Sequence, residues 1–438
     1  MEATLRIEAL TYGTAAIAHA ADGKAVFVED AAPGDLVRVA IDEDKKKFAH
    51  GRAVEVLEPG EARVAPRCPA AAQCGGCPWA HVSYEAQLEA KRANTVAQLV
   101  RVARFDRAAA EALVAPCVPC KKPWGYRNKL EMGVGTDAAG RMILGLHRNR
   151  SHELASVPAC PLAHKAIEKA PKALQGALRF LQGSSDLQLF RVGVRHSDRT
   201  RATEIALWTK PGAFPRAAAA RTLKSALHAT SIVRVMADPG KSRAIKGVEV
   251  LSGAGNWTER LGDFTYKVSA PSFFQVNTAQ AEKLIELVRD GLHVPSHGRV
   301  ADLYCGVGTF TLPLADICDD VVAVESAASS VRDLRRNADD NGVWVDVMGG
   351  DSARELPQLG ALDALVVDPP RAGLADGVPE SIAAAGPGRV AYVSCDPATW
   401  ARDVARMETA GYALESATPV DLFPQTFHNE VVSIFRRL

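Results

Sequence analysis

Residues 299–311 read Arg-Val-Ala-Asp-Leu-Tyr-Cys-Gly-Val-Gly-Thr-Phe-Thr, and no other stretch restricts the fold of this 438-residue chain as tightly. An apolar strand over 299–304 runs into a turn at Gly306 and Gly308, followed by a short helix. Two glycines at the end of a strand let the backbone come close to a bound cofactor. Around this turn the periodicity alternates. It predicts a helix over 278–292, a strand over 321–325 and a helix through 331–337. Strands over 362–368 and 389–394 follow, then a helix from Pro397. Such alternation needs a mostly parallel sheet with helices on both faces.

The turn does not complete a dinucleotide fingerprint, which requires a third glycine at position 311, where this chain has Thr. The strand after the turn ends in Glu325, where a carboxylate can accept from both hydroxyls of a ribose. A nucleotide-binding fold of another kind stays open on this pattern alone. A tight turn beside an incidental Glu is the plainer alternative, and the strand–helix–strand context counts against it. The end of the chain, 412–420 with 431–436, reads as an antiparallel strand pair. That addition fits a class I methyltransferase better than a dehydrogenase.

Three further groups fall at the carboxyl ends of strands, the edge where open α/β sheets bind ligands. Asp368-Pro369-Pro370-Arg371 follows the fourth strand, its prolines stiffening a loop from which Asp368 can face a ligand. It reads equally well as an ordinary strand-ending turn. Asp351 is a weaker candidate, for an adenine amino group. Ser394-Cys395-Asp396-Pro397 ends the fifth strand, with Asp396 a helix N-cap and Pro397 at the first helical position. Cys395 would then sit against a helix N-terminus, which favours a thiolate. A buried cysteine packing as a small hydrophobe is the commoner fate. Glu430, in the loop before the last strand, becomes a proton-abstracting base if burial raises its pKa, and an ordinary surface carboxylate if not.

The rest of the chain is of different character. Residues 1–60 carry short alternating runs separated by turn signals, the pattern of a small β-barrel. Residues 61–80 are Pro- and Cys-rich and irregular; 83–104 read as a helix with Ser83 at its N-cap. Residues 124–250 read as α+β, with strands at 188–195 and 204–208 and a helix near 217–227. The net charge of +1 conceals a segregation. Residues 1–60 sum to −4, 61–250 to +16 and 251–438 to −11. A basic block of that size suggests a polyanion partner, most simply nucleic acid; a solvated charged face is the alternative. No apolar run reaches bilayer length and the first residues lack a signal pattern, so a soluble cytosolic protein is expected. In a reducing cytosol, nine cysteines point to metal binding or catalysis rather than disulfides.

Taken in order, six motifs carry a resemblance that covers nearly the whole chain. They are Trp124-Gly125-Tyr126-Arg127-Asn128-Lys129, Ser272-Phe273-Phe274-Gln275-Val276-Asn277, the glycine turn, Asp368 to Arg371, Ser394 to Thr399, and Phe423 to Glu430. The chain resembles the RNA 5-methyluridine methyltransferases of the TRAM-domain, iron–sulfur type, in the 23S rRNA-specific branch. The resemblance implies three units: an OB-like TRAM barrel over 1–60, a central domain with the cluster and a basic RNA-binding surface over 61–270, and a methyltransferase domain over 271–438. It implies Cys395 as nucleophile and Glu430 as base. It implies contacts to S-adenosylmethionine from Gln275, Tyr304, Glu325 and Asp368, and less surely Asp351. Thr309 replaces an Asn seen in some members, and Asp396 stands where Asn is frequent. It further implies that Cys68, Cys74, Cys77 and Cys160 hold a [4Fe–4S] cluster of structural role.

On spacing alone, Cys74 and Cys77 with Cys117 and Cys120 would instead read as a zinc ribbon, with an unusually long loop between the pairs. Function stays open on two sides. The same chemistry on transfer RNA is the nearest alternative; bacterial relatives of that specificity typically lack both the barrel and the cluster, which favours ribosomal RNA. A non-catalytic iron–sulfur RNA-binding protein is the alternative of another class, and an electron-transfer protein a third. No membrane and no obligate protein partner is expected.

Overall fold

The alternating apolar positions of the first sixty residues form six strands in the computed structural model, which describes residues 2–149, 151, 153–183, 186–240 and 244–438. They are β1 (Glu2–Arg6), β2 (Ala9–Leu10), β3 (Ala16–His19), β4 (Ala25–Glu29), β5 (Leu36–Asp44) and β6 (Phe48–Glu58), in one sheet ordered β1-β5-β6-β4-β3-β2. Val26, Val28, Val37 and Val39 point inward, and Trp79 and Val82 from the irregular stretch after β6 complete this core. The stretch has no helix or strand of its own, as its proline and glycine content dictates.

Helix α1 (Tyr84–Arg101) is capped by Ser83, whose side chain accepts from the Ala86 amide. It is followed by α2 (Arg107–Leu113). Val96 and Leu99 of α1 pack into the C-terminal core rather than against their neighbours in sequence. A fully buried ion pair, Lys91 with Asp421, pins α1 to the last loop, and the Tyr84 hydroxyl donates to the same carboxylate at 2.7 Å. Lys91→Met leaves that carboxylate buried without its cation. It is expected to cost about 3–5 kcal/mol, read as a lower urea midpoint at unchanged slope. A midpoint equal to wild type would show that the pair contributes nothing net.

The middle of the chain builds a seven-stranded sheet. Its elements are β7 (Lys129–Thr136), β8 (Met142–His147), β9 (Leu154–Ala155), α3 (Ala170–Gln182), β10 (Leu189–His196), β11 (Thr203–Thr209), α4 (Arg216–Leu227), β12 (Ser231–Met236) and β13 (Gly247–Gly253). The strand order is β13-β12-β11-β10-β7-β8-β9. Leu174 and Leu178 of α3 and Leu223 of α4 cover one face, against Val192, Val194, Ile205 and Leu207.

A hairpin, β14 (Trp257–Leu261) and β15 (Phe264–Val268), leads into the alternating region. There α5 (Thr278–Leu292) precedes β16 (Arg299–Leu303), α6 (Thr311–Ala315), β17 (Asp320–Glu325), α7 (Ala328–Asn341), β18 (Asp346–Gly349) and α8 (Ser352–Glu355). Then come β19 (Ala364–Val367), α9 (Val378–Ala385), β20 (Arg389–Ser394), α10 (Pro397–Thr409), β21 (Tyr412–Val420) and β22 (Glu430–Arg437). The sheet order is β18-β17-β16-β19-β20-β22-β21, with the first five strands parallel and the final pairings antiparallel. The order reverses direction between β16 and β19, which opens a crevice at their carboxyl ends.

Core boundaries run differently from the sequence ranges. Trp257 and Tyr266 of the hairpin pack into the C-terminal core although they precede residue 271, as do Val96 and Leu99 of α1. Among the described residues no helix is long and apolar enough to cross a membrane.

Candidate active site

The crevice between β16 and β19 is lined from the glycine turn. Gly306 and Gly308 have φ of 58° and 98°, and a Cβ at Gly308 would stand 2.5 Å from Leu334. Larger residues are therefore disfavoured at both positions by conformation, and at Gly308 by space as well. Tyr304, with φ 62°, is a non-glycine residue in the same left-handed region, a strain found at ligand sites. Glu325 accepts from the Gly306 amide at 2.9 Å and the Ala327 amide at 2.6 Å, so it braces the turn against α7. Asp351 caps α8 through the Ala353 amide at 3.1 Å.

Asp302 accepts from the Thr311 hydroxyl at 2.6 Å, while its other oxygen is buried with no partner. Burial, with the Asp368 and Glu325 carboxylates nearby, pushes Asp302 up to about 7. Burial alone pushes Asp368 to about 7. An unpartnered buried acceptor beside a turn of two left-handed glycines fits a polar ligand that carries donors or positive charge. Gln275, on the loop before α5, is buried, and its backbone carbonyl accepts from Asn128 at 2.9 Å. No side-chain hydrogen bond joins it to the other candidates among the described residues.

Cys395 lies just past β20, before the cap Asp396, whose Oδ1 accepts from the Ala398 and Thr399 amides at 3.0 Å each. The helix N-terminus was expected to favour a thiolate. Instead burial, then Glu430 and Asp368, push the thiol up to about 12. Desolvation and two carboxylates outweigh half a helix charge. Glu430, the first residue of β22, is buried, and burial together with Asp368 raises its carboxyl well above the ordinary range. The protonated form is thus favoured in this site. Arg371 is the cation that opposes both shifts. Cys395, Glu430, Asp368 and Arg371 therefore form one electrostatic unit, drawn from the ends of three strands.

The loop that delivers Glu430 is held from a distance. Lys91 donates to the Phe423 carbonyl at 3.2 Å, and Tyr126 to that of Pro424 at 3.2 Å. The Gln425 amide donates to Gln87 at 2.9 Å, and Asn429 to Thr95 at 3.0 Å. Gln425 itself has φ 71°. His428 is driven down to about 4 by burial, with Arg371 adding, and is neutral near neutral pH.

A second concavity, of about 300 Å³, gathers Cys68, Cys74, Cys77 and Cys160 with Arg127 and Lys129. Burial and the neighbouring thiols raise Cys74 and Cys77. The Gly76 amide donates to the Cys74 sulfur at 3.4 Å. The four thiols line one cavity, but among the described residues no three of their sulfurs come within 4.8 Å of one another, so as placed they do not form a closed ligand set. Cys117 and Cys120 lie elsewhere. Cys117 is buried near Asp421 and Lys91, and Cys120 accepts from Asn277 at 3.4 Å. His164, His196 and Asp198 also place ligand atoms within 4.8 Å of one another. Asp198 is already paired with Arg201 at 2.8 Å, and His164 Nδ1 accepts from the Ala166 amide. That bond leaves the His164 proton on Nε2, which disfavours ligation there.

Sequence reading passed over Arg371, Gln87, Lys91 and His428. Arg371 and His428 lie inside motifs already singled out. Nothing local marks Gln87 or Lys91, whose partners Gln425 and Asp421 lie near the other end of the chain.

The sequence model of the family described as tRNA (Uracil-5-)-methyltransferase matches residues 216–359 and 353–437, and that of the TRAM domain matches residues 2–54. The chain is 35% identical to an uncharacterized RNA methyltransferase of Gloeobacter violaceus, over 99% of this chain and 96% of that one. A second uncharacterized RNA methyltransferase, of Thermosynechococcus vestitus, is 34% identical over 98% of this chain and 97% of its own. Among solved structures, the Pyrococcus abyssi tRNA (uracil-54, C5)-methyltransferase in complex with S-adenosyl-L-homocysteine is similar over 99% of both chains, with a TM-score of 0.76 and 25% identity.

Proposed function

Since the chain belongs to the RNA uracil-5-methyltransferase family, in a form with an N-terminal TRAM domain, we propose that it methylates C5 of a uridine in 23S ribosomal RNA through a covalent adduct between Cys395 and C6. It is an S-adenosylmethionine-dependent RNA methyltransferase. The observation that carries the adduct reading is the grouping of Cys395, Glu430, Asp368 and Arg371 beside the glycine turn.

C5 of uracil is too weak a nucleophile to be methylated directly. The Cys395 thiolate adds to C6, and electrons move onto the ring to make C5 nucleophilic. S-adenosylmethionine supplies an electrophilic methyl group next to a positive sulfonium. C5 takes the methyl group as its bond to the sulfonium breaks and S-adenosylhomocysteine leaves. Glu430 then takes the C5 proton, the C5–C6 double bond re-forms, the C6–S bond breaks, and Cys395 leaves as thiolate. Cys395 and Glu430 both need to be ionised for this. Arg371 already limits both shifts, and the positive charge of the bound donor would lower both further. Tyr304, Glu325 and Asp368, with Gln275 and Asp351, would hold the donor at the strand ends. The target uridine has to leave its stack to reach Cys395.

Cys68, Cys74, Cys77 and Cys160 would hold a [4Fe–4S] cluster, which ties the irregular stretch before α1 to the loop after β9 and takes no part in the methyl transfer. We read residues 1–60, 61–270 and 271–438 as barrel, central and catalytic units, with α1 and the β14–β15 hairpin packed into the catalytic core, of a cytoplasmic enzyme with no obligate protein partner. The +16 block over 61–250 would supply most phosphate contacts, with the acidic barrel adding less through bulk charge.

Transfer RNA is the second reading. The Pyrococcus abyssi enzyme acts on tRNA and matches this chain over its full length, so overall architecture does not separate the two substrates. Mapping 5-methyluridine in ribosomal and transfer RNA from cells with and without this chain tests the choice. Loss from ribosomal RNA is expected; loss from transfer RNA alone would overturn it. Anaerobically prepared protein should carry about four irons, and stoichiometric zinc instead would reject the cluster.

A further inference from the structure

The loop between β2 and β3 of the barrel reaches the reaction centre itself. The Tyr12 hydroxyl lies 3.4 Å from the Cys395 carbonyl oxygen and 3.4 Å from Asp396 Oδ2. Both distances are long for an O–H···O bond, as fits one proton shared between two acceptors. The other Asp396 oxygen caps α10, so the hydroxyl and the helix start hold one carboxylate from two sides. The Tyr12 ring meets Phe427 edge-on at 5.6 Å, on the loop that carries Glu430. The same loop of the barrel is anchored again one residue on. Gly13 accepts from the Trp79 indole at 3.1 Å, and the Trp79 amide donates to the Gln425 carbonyl at 3.1 Å. Phe427 in turn packs on the barrel core.

We propose that Tyr12 is a positioning residue of the catalytic centre, through which the N-terminal barrel sets the Cys395–Asp396 turn and so contributes to the chemical step as well as to RNA binding. This rests on Cys395 being the nucleophile. One tyrosine touches the backbone of the nucleophile, the cap that follows it and an aromatic ring on the loop carrying the base. Removing its hydroxyl frees the turn without emptying the space the ring fills. The nucleophile is then held less closely to the line of attack on C6, and small misplacements of this kind are expensive.

Tyr12→Phe keeps the ring against Phe427 and tests the hydroxyl; Tyr12→Ala tests both. The full-length protein is compared with wild type in single-turnover methyl transfer at saturating RNA, in RNA affinity, and in the pH dependence of Cys395 alkylation by iodoacetamide. A fall of about 10- to 100-fold in the single-turnover rate is expected for Tyr12→Phe, with affinity within about two-fold and a displaced alkylation profile. A rate equal to wild type, or a loss that saturating RNA restores, would overturn the proposal. A lower rate with an unmoved alkylation profile would overturn it too, since the hydroxyl would then act elsewhere than on the nucleophile. Cys395→Ala run in parallel separates the two readings. If that variant still turns over, the nucleophile assignment fails and this proposal fails with it. If it is inactive while Tyr12→Phe is normal, only the role of Tyr12 falls.

Discussion

Cys395→Ala is expected to lose methyl transfer by on the order of 10⁴-fold or more while keeping RNA affinity. No other group in the site can replace it. Cys305 is buried with its thiol raised well above the ordinary range, and the remaining thiols line the second concavity or are buried elsewhere in the fold. Without addition at C6, C5 has no electron pair to offer and positioning alone has little to act on. The substitution removes one sulfur at a half-buried position, so stability should hardly change and inactivity can be assigned to chemistry. Turnover near the wild-type rate would sink covalent catalysis for this chain.

Glu430→Gln is expected to behave differently, with turnover lower by about 10²- to 10⁴-fold and a protein–RNA adduct that survives a denaturing gel. The amide is nearly the same shape and fills the same buried place at the start of β22, so the addition at C6 proceeds. It cannot take the C5 proton, and the adduct accumulates after methyl transfer. The raised carboxyl gives this experiment a second use. Wild-type turnover should rise with pH as Glu430 ionises, because only the carboxylate accepts the proton. An inactive Glu430→Gln with no adduct would move the base to another residue. Asp368, with its burial-raised carboxyl near 7, is next in line.

Much of the catalytic sheet was legible before folding. The helix over 278–292, the strand over 389–394, the strand over 412–420 and the cap at Asp396 stand in the structure where the periodicity put them. The reason is that period, cap and proline position are local properties, settled within one or two turns of chain. In the central sheet the same reasoning found β10, β11 and α4 but not β7 or β12. β7 carries glycines at 133 and 135, which weaken the strand signal, and it pairs with β10 across the whole of β8, β9 and α3.

The amino-acid sequence alone determined which residues could do chemistry and on which strand ends they fall. Cys395, Glu430 and Asp368 were each readable as side chains with a use. Only the tertiary structure decided what state those groups are in and what holds them. Cys395 is raised rather than favoured as a thiolate because the fold buries it and then brings Glu430 and Asp368 to it from other strands. The loop bearing Glu430 is fixed by Gln87, Lys91 and Thr95 from a helix near the start of the chain, and Tyr12 arrives from the barrel. Burial and charge are sums over whatever the fold brings near, and no window of sequence contains those neighbours.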